Sequence, residues 1–173
     1  MNFRLSLLMM ISILASCGTR KSDVKTVENV DLTRYAGKWY EISSFPQSFQ
    51  KGCNGTTAVY TVSPKGYVIV ENRCFKGSMK GKESYIKGKA FVVKNSGNAK
   101  LKVQFFWPFK GDYWILDLAD DYSYAVVGSP NKKYLWILSR TPEMDENMYN
   151  NLISGIAKKG FDIQKLKKTN HKE

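Results

Sequence analysis

Three cysteines and one histidine are the soft nucleophiles and metal-binding side chains that this 173-residue chain offers. A thiol can be acylated, oxidised to a disulfide, or used as a nucleophile when a base lowers its pKa. Catalysis of the Ser–His or Cys–His kind needs an imidazole in hydrogen-bond reach of the nucleophile. The sole histidine, His171, stands in a polar run near the C-terminal end. No His/Cys cluster has metal-ligand spacing, so no metal site is assigned. A haem carrier would lack a well-placed imidazole. Glu41 and Asp117 are candidates for inward-facing acids, but two isolated carboxylates define no reaction. A reactive Cys74 thiol is the remaining enzymatic alternative. No catalytic residue is assigned, and the chain is expected to be no enzyme and to carry no cofactor.

Cys17 has a different context. Arg4 gives the N-terminus a positive charge, residues 5–14 are almost all apolar, and Ala15 and Ser16 are small. A charged start, a short greasy stretch and a small-residue boundary describe an export signal, too short to span a bilayer comfortably. Leu14-Ala15-Ser16-Cys17 looks like a lipobox, where a bacterial signal peptidase cleaves before a diacylated cysteine. Two or three acyl chains on Cys17 would anchor the protein stably, because each buried CH₂ contributes about 0.8 kcal/mol. Gly18 follows in place of the Asp that marks inner-membrane retention, which favours the outer membrane. The expected organisation is a signal peptide over 1–16, a lipidated N-terminus and tether over 17–30, a domain over 31–167, and a polar tail over 168–173.

The formal charge of +12 invites a nucleic-acid reading. Export removes the protein from nucleic acid, and the lysines are scattered. Lys87 and Lys89, and Lys100 and Lys102, alternate with other residues as the wet face of a sheet does. Attraction to anionic lipid headgroups is the partner such a surface implies.

The rest of the chain must supply the scaffold. Residues 39–45, 56–62, 67–74, 84–93, 99–107, 112–118, 124–128 and 133–139 read as strands separated by turn signals. Ser63-Pro64-Lys65-Gly66 is a tight turn with proline second and glycine last. Eight strands with short connections imply an antiparallel meander, and closure into a barrel removes its edges. Alternation points Ala58, Tyr60, Val62, Val68, Val70, Asn72, Ile86, Gly88, Ala90, Leu101, Val103 and Phe105 inward. The small residues Ala58, Gly88 and Ala90 leave room inside. Residues 125–127 and 134–138 are apolar on both faces, so something covers them. The amphipathic helix predicted over 145–159, with Met148, Tyr149, Leu152, Ile153 and Ile156 on one face, is expected to pack there. Residues 161–166 read as a last short strand or arm.

Gly37-Lys38-Trp39-Tyr40 resembles the lipocalin signature at the first strand. Asp121-Tyr122 and Arg140 follow in the order that family shows. The segment 134–142 is similar to outer-membrane lipoprotein lipocalins of the Blc type, and more distantly to plant temperature-induced lipocalins and apolipoprotein D. The resemblance covers nearly all of 32–167. It implies an all-β, eight-stranded up-and-down lipocalin barrel with one C-terminal helix outside. Gly37, Trp39, Asp121, Tyr122 and Arg140 become structural, with Arg140 packed across Trp39 at the closed end. A cup opens at the other end. Its expected lining is Tyr60, Val70, Asn72, Ile86, Val103, Phe105, Tyr113 and Trp136, of which Tyr113 and Trp136 rest mainly on the resemblance. The ligand class implied is a fatty acid such as palmitate, or a lysophospholipid, bound for storage or transport in membrane maintenance. A haem or a sterol-like molecule is an alternative. The implied location is the cell envelope, on an outer-membrane lipid anchor with the barrel facing the periplasm. A homodimer is left open.

Folding the hairpin at Pro64 brings Cys53 close to Cys74, on adjacent strands or with one in the preceding loop. In an exported protein the pair can be a disulfide or two free thiols, and a disulfide departs from the Blc pattern.

Overall fold

The structure, a computed structural model, describes residues 23–172. The expected signal segment and Cys17 lie outside the described residues. The chain first docks along the wall, where the Val27 N–H donates to the Ile115 carbonyl at 3.0 Å and the Val30 N–H to that of Gly97 at 2.8 Å. Asp31 then caps α1 (Leu32–Tyr35), its carboxylate accepting from Thr33 N and Arg34 N. This single turn stoppers one end of the barrel.

The wall comprises β1 (Gly37–Ser44), β2 (Cys53–Val62), β3 (Val68–Lys76), β4 (Glu83–Val92), β5 (Lys100–Gln104), β6 (Gly111–Leu118), β7 (Tyr124–Gly128) and β8 (Leu135–Ser139). Each strand pairs antiparallel with the next, and β1 pairs with both β8 and β2 to close the barrel. Two-residue alternation sets the inner face: Val68, Val70 and Cys74 are buried on β3 while Arg73 is exposed.

All eight expected strands form. The fifth ends at Gln104, short of Trp107. Residues 105–109 do not alternate, Pro108 has no N–H for a ladder, and the Phe109 N–H donates to the Phe106 carbonyl in a turn instead. Val62, expected inside, is 43% exposed because β2 ends there with nothing packed over it.

Two apolar clusters divide the core. One fills the barrel and includes Trp39, Tyr60, Val70, Leu101, Ile115 and Val127. The other lies between the barrel's outer face and α2 (Glu146–Lys158), where Tyr149, Leu152 and Ile156 pack with Ile42, Leu116, Val126, Leu135 and Ile137. Each large side chain buried there stabilises the fold by about 1.5–3 kcal/mol. Asp145 caps the helix by accepting from Met148 N at 3.0 Å, and Gly160 follows its end at φ +80°, as expected.

β1 and β2 pair only from Gly37–Tyr60 to Tyr40–Thr57 and then diverge. The C-terminal arm occupies the gap. After α2 and a short 3₁₀ turn (Ile163–Lys165), β9 (Lys167–Lys168) pairs with Ser44 and Ser43. The Thr169 N–H donates to the Ile42 carbonyl at 2.9 Å, and the Gly55 N–H to that of Asn170 at 2.7 Å. Residues 168–171, which read as a polar tail, thus complete the wall. Their polarity suits a short strand at a seam.

Candidate ligand-binding cup

The barrel has a closed floor and a mouth. At the floor Trp39 is fully buried and its Nε1–H donates to the Tyr35 carbonyl at 2.8 Å. The Arg140 guanidinium lies 3.8 Å over the Trp39 ring. It also donates to four carbonyl oxygens, of Lys38 at 2.9 Å, Arg34 at 2.8 Å, Tyr35 at 3.2 Å and Tyr122 at 3.2 Å. Gly37 has φ +94°, the left-handed backbone that glycine adopts without strain. Tyr122 takes φ +63° beside Asp121, whose carboxylate accepts from Ser123 N at 2.9 Å. The Tyr122 hydroxyl accepts from Asp31 N at 2.9 Å, tying the β6–β7 turn to the α1 cap.

Above the floor, three tyrosine hydroxyls meet. Tyr113 lies 2.7 Å from Tyr35 and 2.9 Å from Tyr60, oxygen to oxygen. Burial pushes all three phenols up, Tyr60 to about 12 and the other two well above their ordinary value. Two hydrogen bonds use two of the three O–H donors, so one donor and several lone pairs remain uncommitted.

Of the eight expected lining residues, Tyr60, Val103 and Tyr113 surround a central cavity with Leu32, Tyr35, Val68, Ala90 and Leu101. Val70 is buried beside them, and Phe105 and Trp136 pack into the same interior cluster. Asn72 and Ile86 face each other across β3 and β4. Ile86 is not part of that cluster. Asn72 Oδ1 is buried with no hydrogen-bond partner.

The hollow is smaller than the small inward residues imply. The central cavity measures about 10 Å³, room for roughly one water. Gly88 leaves no space, because a Cβ there would lie 2.7 Å from the Phe105 ring. The glycine is the seat on which Phe105 packs.

Nearer the mouth the interior turns polar. Glu41 stands opposite Leu138 and is 6% exposed, so it faces in as expected. Its carboxylate accepts from Ser44 Oγ at 3.1 Å, Gln50 Nε2 at 2.9 Å and Thr169 Oγ1 at 2.6 Å. Gln50 Oε1 accepts from Trp136 Nε1 at 3.3 Å. The loop after β1 is therefore drawn over the cup by one glutamine bridging Glu41 and Trp136. An open hollow of about 510 Å³ adjoins this bridge, between that loop and the C-terminal arm. Asp117 does not join Glu41. The irregularity between Ile115 and Asp117 pairs it with Val126, a member of the outer cluster.

Cys53 and Cys74 are bonded, with Cα atoms 5.4 Å apart, inside the bridging range. Cys74 is therefore no free nucleophile. His171 packs edge-on against Tyr40, and its Nε2 lies 2.7 Å from the Glu41 carbonyl. Sequence reasoning missed Leu32 and Tyr35, which come from a four-residue helix too short for periodicity. It also missed Gln50, in a loop where no pattern marks which side chain turns inward.

The Lipocalin-like domain matches residues 30–171. Temperature-induced lipocalin-1 of Arabidopsis thaliana is 41% identical over 160 residues, covering 87% of this chain and 84% of its own. Outer membrane lipoprotein Blc of Vibrio cholerae is 39% identical over 155 residues, covering 89% and 90%. The plant and bacterial relatives thus stand almost equally near. Among solved structures, insecticyanin from the tobacco hornworm Manduca sexta superposes with a TM-score of 0.70 at 23% identity, covering 87% of this chain and 85% of that one. With the Trp39–Arg140 floor, the eight-stranded closure and the outer helix in place, the chain belongs to the lipocalin family.

Proposed function

We propose that the chain is a membrane-anchored carrier that binds a single-tailed amphiphile, a fatty acid such as palmitate or a lysophospholipid, in its barrel. The observation that carries this reading is an apolar inner face broken by polar groups with unused bonding capacity. Asn72 Oδ1 has no partner, and the three tyrosine hydroxyls retain a donor beyond those they exchange. A buried acceptor left unpaired costs about 1–3 kcal/mol, which a ligand hydroxyl or protonated carboxyl would recover. Val70, Ile86, Val103 and Phe105 offer the tail an apolar wall, where burial is worth about 25 cal/mol per Å².

The interior is packed around a central cavity of about 10 Å³, so binding requires movement. Gln50 releases Glu41 and Trp136, and the Phe105 and Trp136 rings turn aside. Relatives named outer membrane lipoproteins and the Leu14-Ala15-Ser16-Cys17 motif support an acylated Cys17, placement in the envelope on the outer membrane, and a barrel in the periplasm serving membrane maintenance. The bonded cysteines support a binding role over thiol catalysis.

Native mass spectrometry of delipidated protein offered mixed bacterial lipids tests this. One acyl species per chain is expected. Recovery of no acyl species contradicts it, and a haem or sterol-like ligand would be recognised by mass. Trp136→Ala should weaken binding of a fatty acid probe about tenfold, a loss of roughly 1.4 kcal/mol, while leaving the circular dichroism spectrum unchanged. Unchanged affinity removes Trp136 from the site.

A further inference from the structure

Four of the chain's aromatic side chains project into solvent from one end of the barrel. Phe49 is 65% exposed, Phe106 69%, Trp107 86% and Phe109 77%. Phe49 lies on the loop joining β1 to β2 and the other three on the loop joining β5 to β6. Both loops are at the mouth. Among the described residues, the other large exposed apolar side chains are less exposed, at 46% or below. Keeping four rings in water is unfavourable without something to receive them.

Charge follows the same axis. The four mouth loops, 45–52, 77–82, 105–110 and 129–134, contain Lys51, Lys80, Lys82, Lys110, Lys132 and Lys133 and no acidic residue. Around the floor Glu28, Asp31, Asp120, Asp121, Glu143 and Asp145 more than offset Arg34, Lys65, Lys94 and Arg140. Rings level with lysines are the pattern that suits a bilayer interface, where Trp settles among headgroups and Lys attracts anionic lipid.

The chain path points the same way. Asp23, the first described residue, pairs with Lys132 of the β7–β8 mouth loop at 3.2 Å. Cys17 precedes it by six residues, so the backbone holds the two within about 20 Å.

We propose that the barrel seats mouth-down on an anionic lipid surface, with Phe49, Phe106, Trp107 and Phe109 in the interface and the mouth lysines among the headgroups. The chain-path support rests on the anchored-carrier reading above; the aromatic and charge arguments stand without it. In this pose a single-tailed lipid passes from bilayer to cup without crossing water.

The test uses the full chain in vesicles of phosphatidylcholine and phosphatidylglycerol whose acyl chains are brominated. Trp39 is fully buried and Trp107 is 86% exposed, while Trp114 and Trp136 are half-buried, so the difference between the native chain and Trp107→Phe isolates Trp107 as the reporter. The expected result is strong tryptophan quenching, reduced at least threefold in Trp107→Phe. Partition should fall about fivefold for each mouth lysine changed to Gln, Lys82 and Lys110 first. Protein that pellets with vesicles while Trp107 stays unquenched has its mouth facing away and overturns the proposal. Protein that stays off vesicles, including as a mouth-to-mouth dimer seen by sedimentation, overturns it too. Intact mass of the same sample reports whether Cys17 is acylated, and bound lipid is scored separately, so failure of the anchor or of the carrier reading is distinguished.

Discussion

Arg140 shows how one residue can hold an entire floor. Its donors reach carbonyls on the segment just before β1, on β1 itself and on the β6–β7 turn, and its plane covers Trp39. Arg140→Ala should lower unfolding free energy by about 3 kcal/mol in urea titrations, since charge-assisted hydrogen bonds contribute about 1.5–3 kcal/mol and the ring contact about 1–2 kcal/mol. Lipid affinity should change little, because the floor plug lies below the tyrosines. The tyrosine cluster makes a pH prediction. Unfolded phenols ionise near their ordinary value of 10.0, whereas Tyr60 ionises at about 12 in the fold. A raised folded pKa gives stability that is fully present below pH 10 and lost as pH climbs through 12. Urea midpoints should therefore fall across that window, and Tyr60→Phe should flatten the fall. The floor was legible from Gly37, Trp39 and Arg140 only through their resemblance to the lipocalin signature, which implies the ring–guanidinium contact that the structure shows. Tyr35 was not, since only the fold brings it to Tyr113.

Among the elements, the strands were legible from alternation and turn chemistry, and α2 from its single apolar face. The C-terminal arm was placed at 161–166, where a 3₁₀ turn forms over Ile163–Lys165 and the strand follows at Lys167–Lys168, because a strand of two lysines carries no pattern; its role comes from the divergence of β1 and β2, a tertiary fact. Deleting residues 168–173 should open that seam. The expected result is faster hydrogen exchange at the Gly55 amide, which loses the Asn170 carbonyl, together with a lower melting temperature. Unchanged exchange would mean the seam closes without the arm. The bond between Cys53 and Cys74 pins the mouth end of the β2–β3 pair across 21 residues. Cys53→Ser with Cys74→Ser should cost about 3 kcal/mol, measured by urea denaturation.

At the scale of the molecule, barrel class and inner face followed from the pattern of residues, but the volume inside did not. Alternation assigns Gly88 to the interior and cannot say that the Phe105 ring occupies the space above it. Internal volume depends on rotamers of partners far apart in sequence. The central claim is that this packed interior opens for a lipid tail. Nuclear magnetic resonance with ¹³C-labelled palmitate tests it most directly, through contacts between the labelled chain and protein protons. Contacts to Val70, Ile86, Val103 and Tyr113 are the predicted result. A labelled chain that touches only α2 or the outer face, or makes no contact at all, would contradict it.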